Sequence, residues 1–464
     1  MKIEQLYTGC LAEAAYYIES EGEVAIVDPL RETEPYLRMA QKNGATIKYI
    51  FETHFHADFV SGHVDLARKS GATIVYGPTA ITGYDAHIAT DGEEFKVGKL
   101  TIRVLHTPGH TPESSTYLLL DENGKEHAIF SGDTLFIGDV GRPDLAVKSD
   151  LTQEDLAGLL YDSLRNRIMP LPDHVIVYPA HGAGSACGKN MSKETFDSLG
   201  HQKQVNYALQ NMTKEEFIKE VTEGILPPPQ YFPKNAMINK SGYGSVDQVM
   251  EKGNTPLSLV EFKQQVQNGA LILDTRQPQT FNKGFIPGSL NIGIRGSFAV
   301  WLGTLVEDIQ RPIVLVSEAG TEEEVILRCS RVGYDNVVGF LDGGFETWKN
   351  TGEPVSTIES ISAKEFASRI EERTILDVRK PGEFEAEHVK DAQTFPLDFI
   401  HGNLNGLDRN KEYFVHCKGG YRSMIASSIL KANGINNIID VAGGMDEILK
   451  TDAPVTAYVC PSTL

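Results

Sequence analysis

The sequence predicts a multidomain protein in which short apolar strands alternate with helical stretches, an α/β pattern. Three observations carry this. The 464 residues fit about three domains at ~150 residues each. One unit occurs twice in the second half of the chain. Ten of the 13 histidines precede residue 255, which sets the first part chemically apart from the rest.

Composition excludes several partner classes. Hydrophobic residues make up 41% and charged residues 23%, ordinary for a globular protein. The net charge of −20 is spread along the chain and repels nucleic acid and anionic lipid, so neither is expected as a partner. No apolar run approaches the ~18 residues of a membrane span. The opening Met1-Lys2-Ile3-Glu4-Gln5-Leu6 places acid where a signal peptide would be apolar. Five scattered cysteines, Cys10, Cys187, Cys329, Cys417 and Cys460, make a poor disulfide framework and lead us to expect a cytoplasmic protein.

In chain order, strands are expected at Glu23 to Val27, Ile47 to Phe51, Leu100 to Leu105, His127 to Phe130 and Val175 to Tyr178. The Pro-rich Leu226-Pro227-Pro228-Pro229-Gln230-Tyr231-Phe232-Pro233 ends regular structure. The following stretch is rich in Gly, Ser, Asn and Lys and is expected to be a plain linker, although a connector this long could also fold back over the first domain. We therefore expect domains at 1–235, 257–355 and 356–460, with a linker at 236–256. The repeat is visible in Leu271-Ile272-Leu273-Asp274-Thr275-Arg276 against Thr374-Ile375-Leu376-Asp377-Val378-Arg379. Each copy closes on a Gly-Gly, at Gly343-Gly344 and Gly443-Gly444. Each copy is expected to form a mostly parallel sheet.

Four strands of the first part run into candidate ligands. These are His54-Phe55-His56-Ala57-Asp58, then His110, then Asp133, then His181, each beside Gly or Pro turn chemistry or within a short loop. Strand ends on one rim of a sheet converge, and imidazoles with carboxylates suit a divalent zinc or iron ion. A single such pair would be expected by chance; four sets point to a metal site.

The order His54-x-His56-x-Asp58, His110, Asp133, His181 resembles the metallo-β-lactamase superfamily over residues 1 to about 235. The resemblance implies a four-layer αββα sandwich, giving an α/β and α+β multidomain class overall. Hydrolases of that family commonly hold two metals, the second using Asp58, a histidine directly after it and His181. Here the residue after Asp58 is Phe59, which cannot ligate. One metal at His54, His110 and Asp133 is then the expected set, matching the two-imidazole, one-carboxylate triad of non-haem ferrous oxygenases. His56 is left as a fourth ligand or an outer donor. Asp58 and His181 are expected to orient ligands or handle protons.

Gly141-Arg142-Pro143-Asp144-Leu145 and the stretch from Pro179 to Lys189 resemble the persulfide dioxygenase branch. That implies one Fe(II) per chain and a reaction of thiol persulfide with O2 and water to give thiol and sulfite. Arg142 is expected either to bind an anionic part of the substrate or to pair with Asp144. Cys187 and Cys10 are expected to be structural thiols.

The second chemical centre is Phe414-Val415-His416-Cys417-Lys418-Gly419-Gly420-Tyr421-Arg422-Ser423. A strand, a Gly-rich loop and a helix start aim backbone N–H groups and positive potential at Cys417, which stabilises an anionic sulfur. This resembles the rhodanese active loop, with Cys417 as sulfur carrier, Arg422 beside it, and Lys418, Gly419, Gly420 and Tyr421 lining the substrate. Asp377 and Arg379 are expected to brace the fold. The first copy reads Ser317-Glu318-Ala319-Gly320-Thr321-Glu322 at this place, so it is expected to be inactive.

The combined expectation is a persulfide dioxygenase fused to a sulfurtransferase. Its partners would be a small-molecule thiol persulfide, O2, and sulfite or thiosulfate, with the thiol carrier and the direction of transfer at Cys417 left open. The alternative is a zinc thioester hydrolase of the hydroxyacylglutathione hydrolase type; a third is a sulfur-relay protein with a degenerate metal site. A homodimer is the default oligomer.

Overall fold

The computed structural model describes residues 1–147 and 151–460. The chain divides into two compact units, Met1–Gln248 with Ser330–Gly333, and Val249–Cys329 with Tyr334–Leu464.

The first unit is built on two six-stranded sheets. One holds β1 (Lys2–Thr8), β2 (Glu13–Ser20), β3 (Glu23–Val27), β4 (Thr46–Glu52), β5 (Thr73–Tyr76) and β6 (His87–Ile88), in sequence order. The other holds β7 (Glu94–Val97), β8 (Leu100–His106), β9 (Ser115–Leu120), β10 (Glu126–Gly132), β11 (Ile176–Pro179) and β12 (Asp197–Ser198), also in sequence order. Strand alternation explains the layering. Tyr16, Ile18, Ala25 and Val27 pack against Ile102, Val104, Tyr117 and Phe130 between the sheets. Their neighbours Ala15, Tyr17, Val24 and Ile26 face the other way, onto Tyr36, Ala40 and Leu66 of helices Glu34–Asn43 and His63–Ser70. On the far side Leu118, Leu120, Ile129 and Val177 meet Ala157 and Leu160 of helix Gln153–Ser163 and Phe217 and Val221 of helix Lys214–Thr222. Both of those helices start on a capping box, Thr152 with Asp155 and Thr213 with Glu216. The result is the αββα sandwich.

The stretch expected to be a plain linker is instead helical over Phe232–Ser241 and Val246–Gly253, and the first unit runs on through Gln248. The preceding helix has already stopped at Thr222, ahead of Gly224 at φ +70°, and the prolines do not prevent a new one, because Pro233 occupies its first turn, where a missing N–H costs nothing.

The second unit contains the duplicated fold. Strands β13 (Pro256–Leu257), β14 (Leu271–Asp274), β15 (Leu290–Asn291), β16 (Ile313–Val316) and β17 (Val337–Leu341) form a parallel sheet ordered β13-β17-β16-β14-β15. Strands β18 (Glu359–Ser362), β19 (Thr374–Asp377), β20 (Gln393–Thr394), β21 (Tyr413–His416) and β22 (Ile438–Ala442) repeat it as β18-β22-β21-β19-β20. The braces repeat too: Arg276 pairs with Asp274 and donates to the Gly284 carbonyl, and Arg379 pairs with Asp377 and donates to that of Glu387. Among the described residues no helix is long and apolar enough to cross a membrane.

Candidate functional site

His54 follows β4, His110 follows β8 and Asp133 follows β10, and all three are buried. Thr53 donates through N and Oγ1 to Asp28, at 2.7 and 2.8 Å. With its hydrogen committed, the Thr53 hydroxyl accepts from His54 Nδ1 at 3.0 Å. His110 Nδ1 donates to the Arg142 carbonyl at 2.8 Å. These bonds fix both tautomers, so each Nε2 carries a lone pair. His110 Nε2 lies 3.3 Å and His54 Nε2 3.9 Å from Asp133 Oδ2, a buried oxygen with no hydrogen-bond donor among the described residues. Three lone pairs therefore converge with no proton between them. That donor set fits a divalent cation with further coordination positions free for small molecules. Burial and the nearby His56 hold His54 well below its usual range, so it is neutral and able to ligate.

His181, after β11, sits between two carboxylates. Its Nδ1 is 2.8 Å from Asp133 Oδ1 and its Nε2 is 2.8 Å from Asp58 Oδ2. Burial opposes its protonation, but Asp133 and Asp58 overcome it and push His181 well above the usual imidazole range. The same contacts work on Asp133: burial would raise it, and His181, His110 and His54 hold it well below the carboxylate range. His181 thus orients Asp133 and holds protons at both nitrogens.

The structure does not bring His56 into this set. Its Nε2 faces Asp28 Oδ1 at 3.1 Å and Glu52 Oε2 at 3.7 Å, and its ring packs on Phe59 with centroids 4.4 Å apart. Phe59 is fully buried. Arg142 is engaged by protein acceptors. Its Nε and Nη2 donate to Asp144 at 2.6 and 2.7 Å, Nη1 donates to the Ala186 carbonyl, and Nη2 also to that of Leu226. Its guanidinium fork thus meets a carboxylate two residues away, the ion pair expected as one of its two roles. Cys187 lies closer to the chemistry than its sequence position suggests. Its sulfur falls within 4.8 Å of ligand atoms of Asp58 and His181. Burial, with Asp58 and Asp133 nearby, raises the thiol, so it is neutral there.

Several residues escaped sequence reasoning. Asn239, on the helix within the expected linker, donates to the carbonyls of His56 at 2.7 Å and Phe59 at 2.8 Å and accepts from Ser61 N. It thus clamps the ligand loop from 183 residues away, and no spacing signal announces it. Asp28 directly follows β3, and its bond to Thr53 is made only in the fold. Glu52 is fully buried, and burial with Asp28 nearby raises it well above the carboxylate range.

In the second unit β21 leads into buried Cys417. Gly420 adopts φ +90°, which aims its N–H at Cys417 Sγ, 3.1 Å away, and starts helix Tyr421–Ala432. Met445 N donates to the Cys417 carbonyl at 2.7 Å, and a Cβ on Gly444 would fall 2.3 Å from that oxygen, so the Gly-Gly is required for closure. Lys418 and Gly419 are exposed at the loop tip. Arg422 is held by Glu383 through two bonds of 2.6 and 2.8 Å. The Tyr421 hydroxyl donates to the Gly293 carbonyl of the first repeat at 2.7 Å. In the first repeat the matching amide, Gly320 N, donates to the Glu322 carboxylate at 2.8 Å. The loop's anion-binding group is consumed by its own side chain.

Comparison with known proteins agrees with this architecture. The model of the metallo-β-lactamase superfamily matches residues 8–181, and that of the rhodanese-like domain matches residues 258–351 and 362–451. A probable hydroxyacylglutathione hydrolase of Schizosaccharomyces pombe is 31% identical over 202 residues, 42% of this chain and 74% of its own. The human mitochondrial persulfide dioxygenase ETHE1 is 30% identical over 211 residues, 45% of this chain and 74% of its own. The crystal structure of a metallo-β-lactamase from Staphylococcus aureus is 31% identical, with a TM-score of 0.66, and covers 73% of this chain and 98% of its own. With the sandwich, the converging strand-end ligands and the twice-used parallel sheet all present, the chain belongs to the metallo-β-lactamase superfamily and carries two rhodanese-like domains behind that fold.

Proposed function

We propose that the chain is a persulfide dioxygenase–sulfurtransferase. The observation that carries the reading is the donor set of His54, His110 and Asp133, with Phe59 where a second metal would need an imidazole. The overall reaction is R–S–SH + O2 + H2O → R–SH + SO3²⁻ + 2 H⁺. A ferrous ion held by the three residues, one per chain, supplies the redox chemistry. Thr53 and the Arg142 carbonyl keep the two imidazoles aimed inward. His181 steadies Asp133 through Nδ1 and holds a proton at Nε2 against Asp58. Phe59 and Phe136, both fully buried, keep bulk water from that side.

Cys417 carries sulfane sulfur to or from thiosulfate, supported by the Gly420 amide and by Arg422. Joining the two activities raises the local concentration of one site's product at the other. The first rhodanese-like domain, 257–355, is non-catalytic in this reading, supported by Ser317 and the Glu322–Gly320 contact.

The competing reading is a zinc thioester hydrolase, in keeping with the fission-yeast relative. The deciding experiment is O2 consumption on adding a small-thiol persulfide to iron-loaded protein, with zinc-loaded protein as control. Uptake with iron alone is expected. No uptake with any persulfide, together with thioester cleavage by the zinc form, would overturn the proposal.

A further inference from the structure

The second rhodanese-like repeat buries an acid for which sulfur transfer, as described, has no use. Asp440 lies on β22 and is fully buried. Its Oδ1 accepts from Ser423 Oγ at 2.7 Å, and its Oδ2 from Ser360 Oγ at 2.8 Å. Ser423 sits in the first turn of the helix after the cysteine loop, and its oxygen lies 3.7 Å from Cys417 Sγ, placed to accept the thiol hydrogen. Exchangeable hydrogens thus run in line from Cys417 through Ser423 to Asp440. Burial raises Asp440 to about 6, where a carboxyl exchanges protons close to neutrality.

The first repeat is an internal control. Asp440 pairs with Ser360 across β22 and β18, and at the same register Phe340 pairs with Pro256 across β17 and β13. Ser317 stands for Cys417 and Glu323 for Ser423. All three members of the line, and the Ser360 partner of Asp440, are therefore replaced in the repeat that lacks the cysteine. An acid kept for the fold behaves differently: the Asp274–Arg276 and Asp377–Arg379 braces occur in both repeats.

We propose that Ser423 and Asp440 are positioning residues that form a proton relay for Cys417. The thiol S–H bond breaks as its hydrogen passes to Ser423 Oγ, and the serine hydrogen passes to Asp440 Oδ1. A thiolate and a neutral carboxyl remain, with no change in net charge. Building on the sulfurtransferase reading, the thiolate attacks the outer sulfur of thiosulfate. The new S–S bond forms, the bond to sulfite breaks, sulfite leaves with the electron pair, and the proton stays on Asp440.

Other charges near the cysteine are Arg422 with Glu383 and Asp398, Lys418 and Asp446 at the loop, and His416 with Asp377 and Arg379 on the adjacent strands. None lies in the line to Asp440, whose polar partners are the two serine hydroxyls.

The test is the rate of iodoacetamide alkylation at Cys417, read by peptide mass spectrometry between about pH 5 and 9, on the full chain. Wild type, Asp440→Asn, Ser423→Ala and the double variant are compared. The alkylation midpoint is expected to rise by roughly one pH unit or more in each single variant, and by no more in the double variant. A midpoint that falls in Asp440→Asn would mean the acid acts only as a nearby negative charge, and would overturn the relay. So would unchanged midpoints or additive shifts. No sulfur donor is present, so a chain that fails thiosulfate assays but shows the shift would refute the sulfurtransferase reading and leave the relay standing.

Discussion

Replacing Arg142 by methionine keeps the length of the side chain and removes the guanidinium. Asp144 then loses both of its short bonds, and the carbonyls of Ala186 and Leu226 each lose a donor. Removing one partner of a buried ion pair costs about 3–5 kcal/mol. The side chains of Arg142 and Asp144 are 7% and 16% exposed, so solvent relieves part of the cost and about 3 kcal/mol is the working figure. For a unit of this size each kcal/mol lowers the melting temperature by about 2–4 °C, so a drop of roughly 6–12 °C is expected. His110 leans on the carbonyl of the same residue, so metal retention should fall with stability. Differential scanning calorimetry and metal content report the structural effect, and the KM for persulfide reports substrate contact. An unchanged transition with a KM raised about tenfold would refute this reasoning and return Arg142 to anion binding.

Asp133→Asn removes the one carboxylate of the ligand set, so bound metal after desalting should fall by more than the 10–100-fold typical of an outer partner; full metal content would show the set is wrong. Cys417→Ser should abolish thiosulfate chemistry while O2 uptake with persulfide persists, and loss of both would sink the two-site reading. Folded Asp440 keeps its proton to about 6, whereas the unfolded chain releases it near 3.8. The unfolded state therefore binds fewer protons at this site between these values, and the contribution of Asp440 to stability should fall by about 3 kcal/mol as pH rises through that window. Denaturant midpoints measured across it should flatten in Asp440→Asn; an equal slope in both proteins would contradict the burial of that charge.

What the sequence by itself determined are the features written in short-range pattern. Short apolar runs announced β3, β4, β8, β10 and β11, and strand-end loops pointed to His54, His110, Asp133 and His181, because a residue placed just past a strand is a local fact. The duplication was legible for the same reason, down to Ser317 and Glu322 where Cys417 and Arg422 stand in the second copy. Tertiary structure decided which side chains those residues meet. Asn239 reaches the ligand loop from a helix that composition disguised as a linker. His56 turns to Asp28 and Glu52, Arg142 spends its donors on Asp144 and two carbonyls, and Tyr421 bonds to the first repeat. Ser423 and Asp440 meet only because β22 lies beside β21 under the helix that follows the cysteine. Periodicity is set by backbone geometry over a few residues and can be read along the chain. The partner of a buried polar group is set by which distant segment supplies the missing donor or acceptor, and that is settled only when the chain has folded.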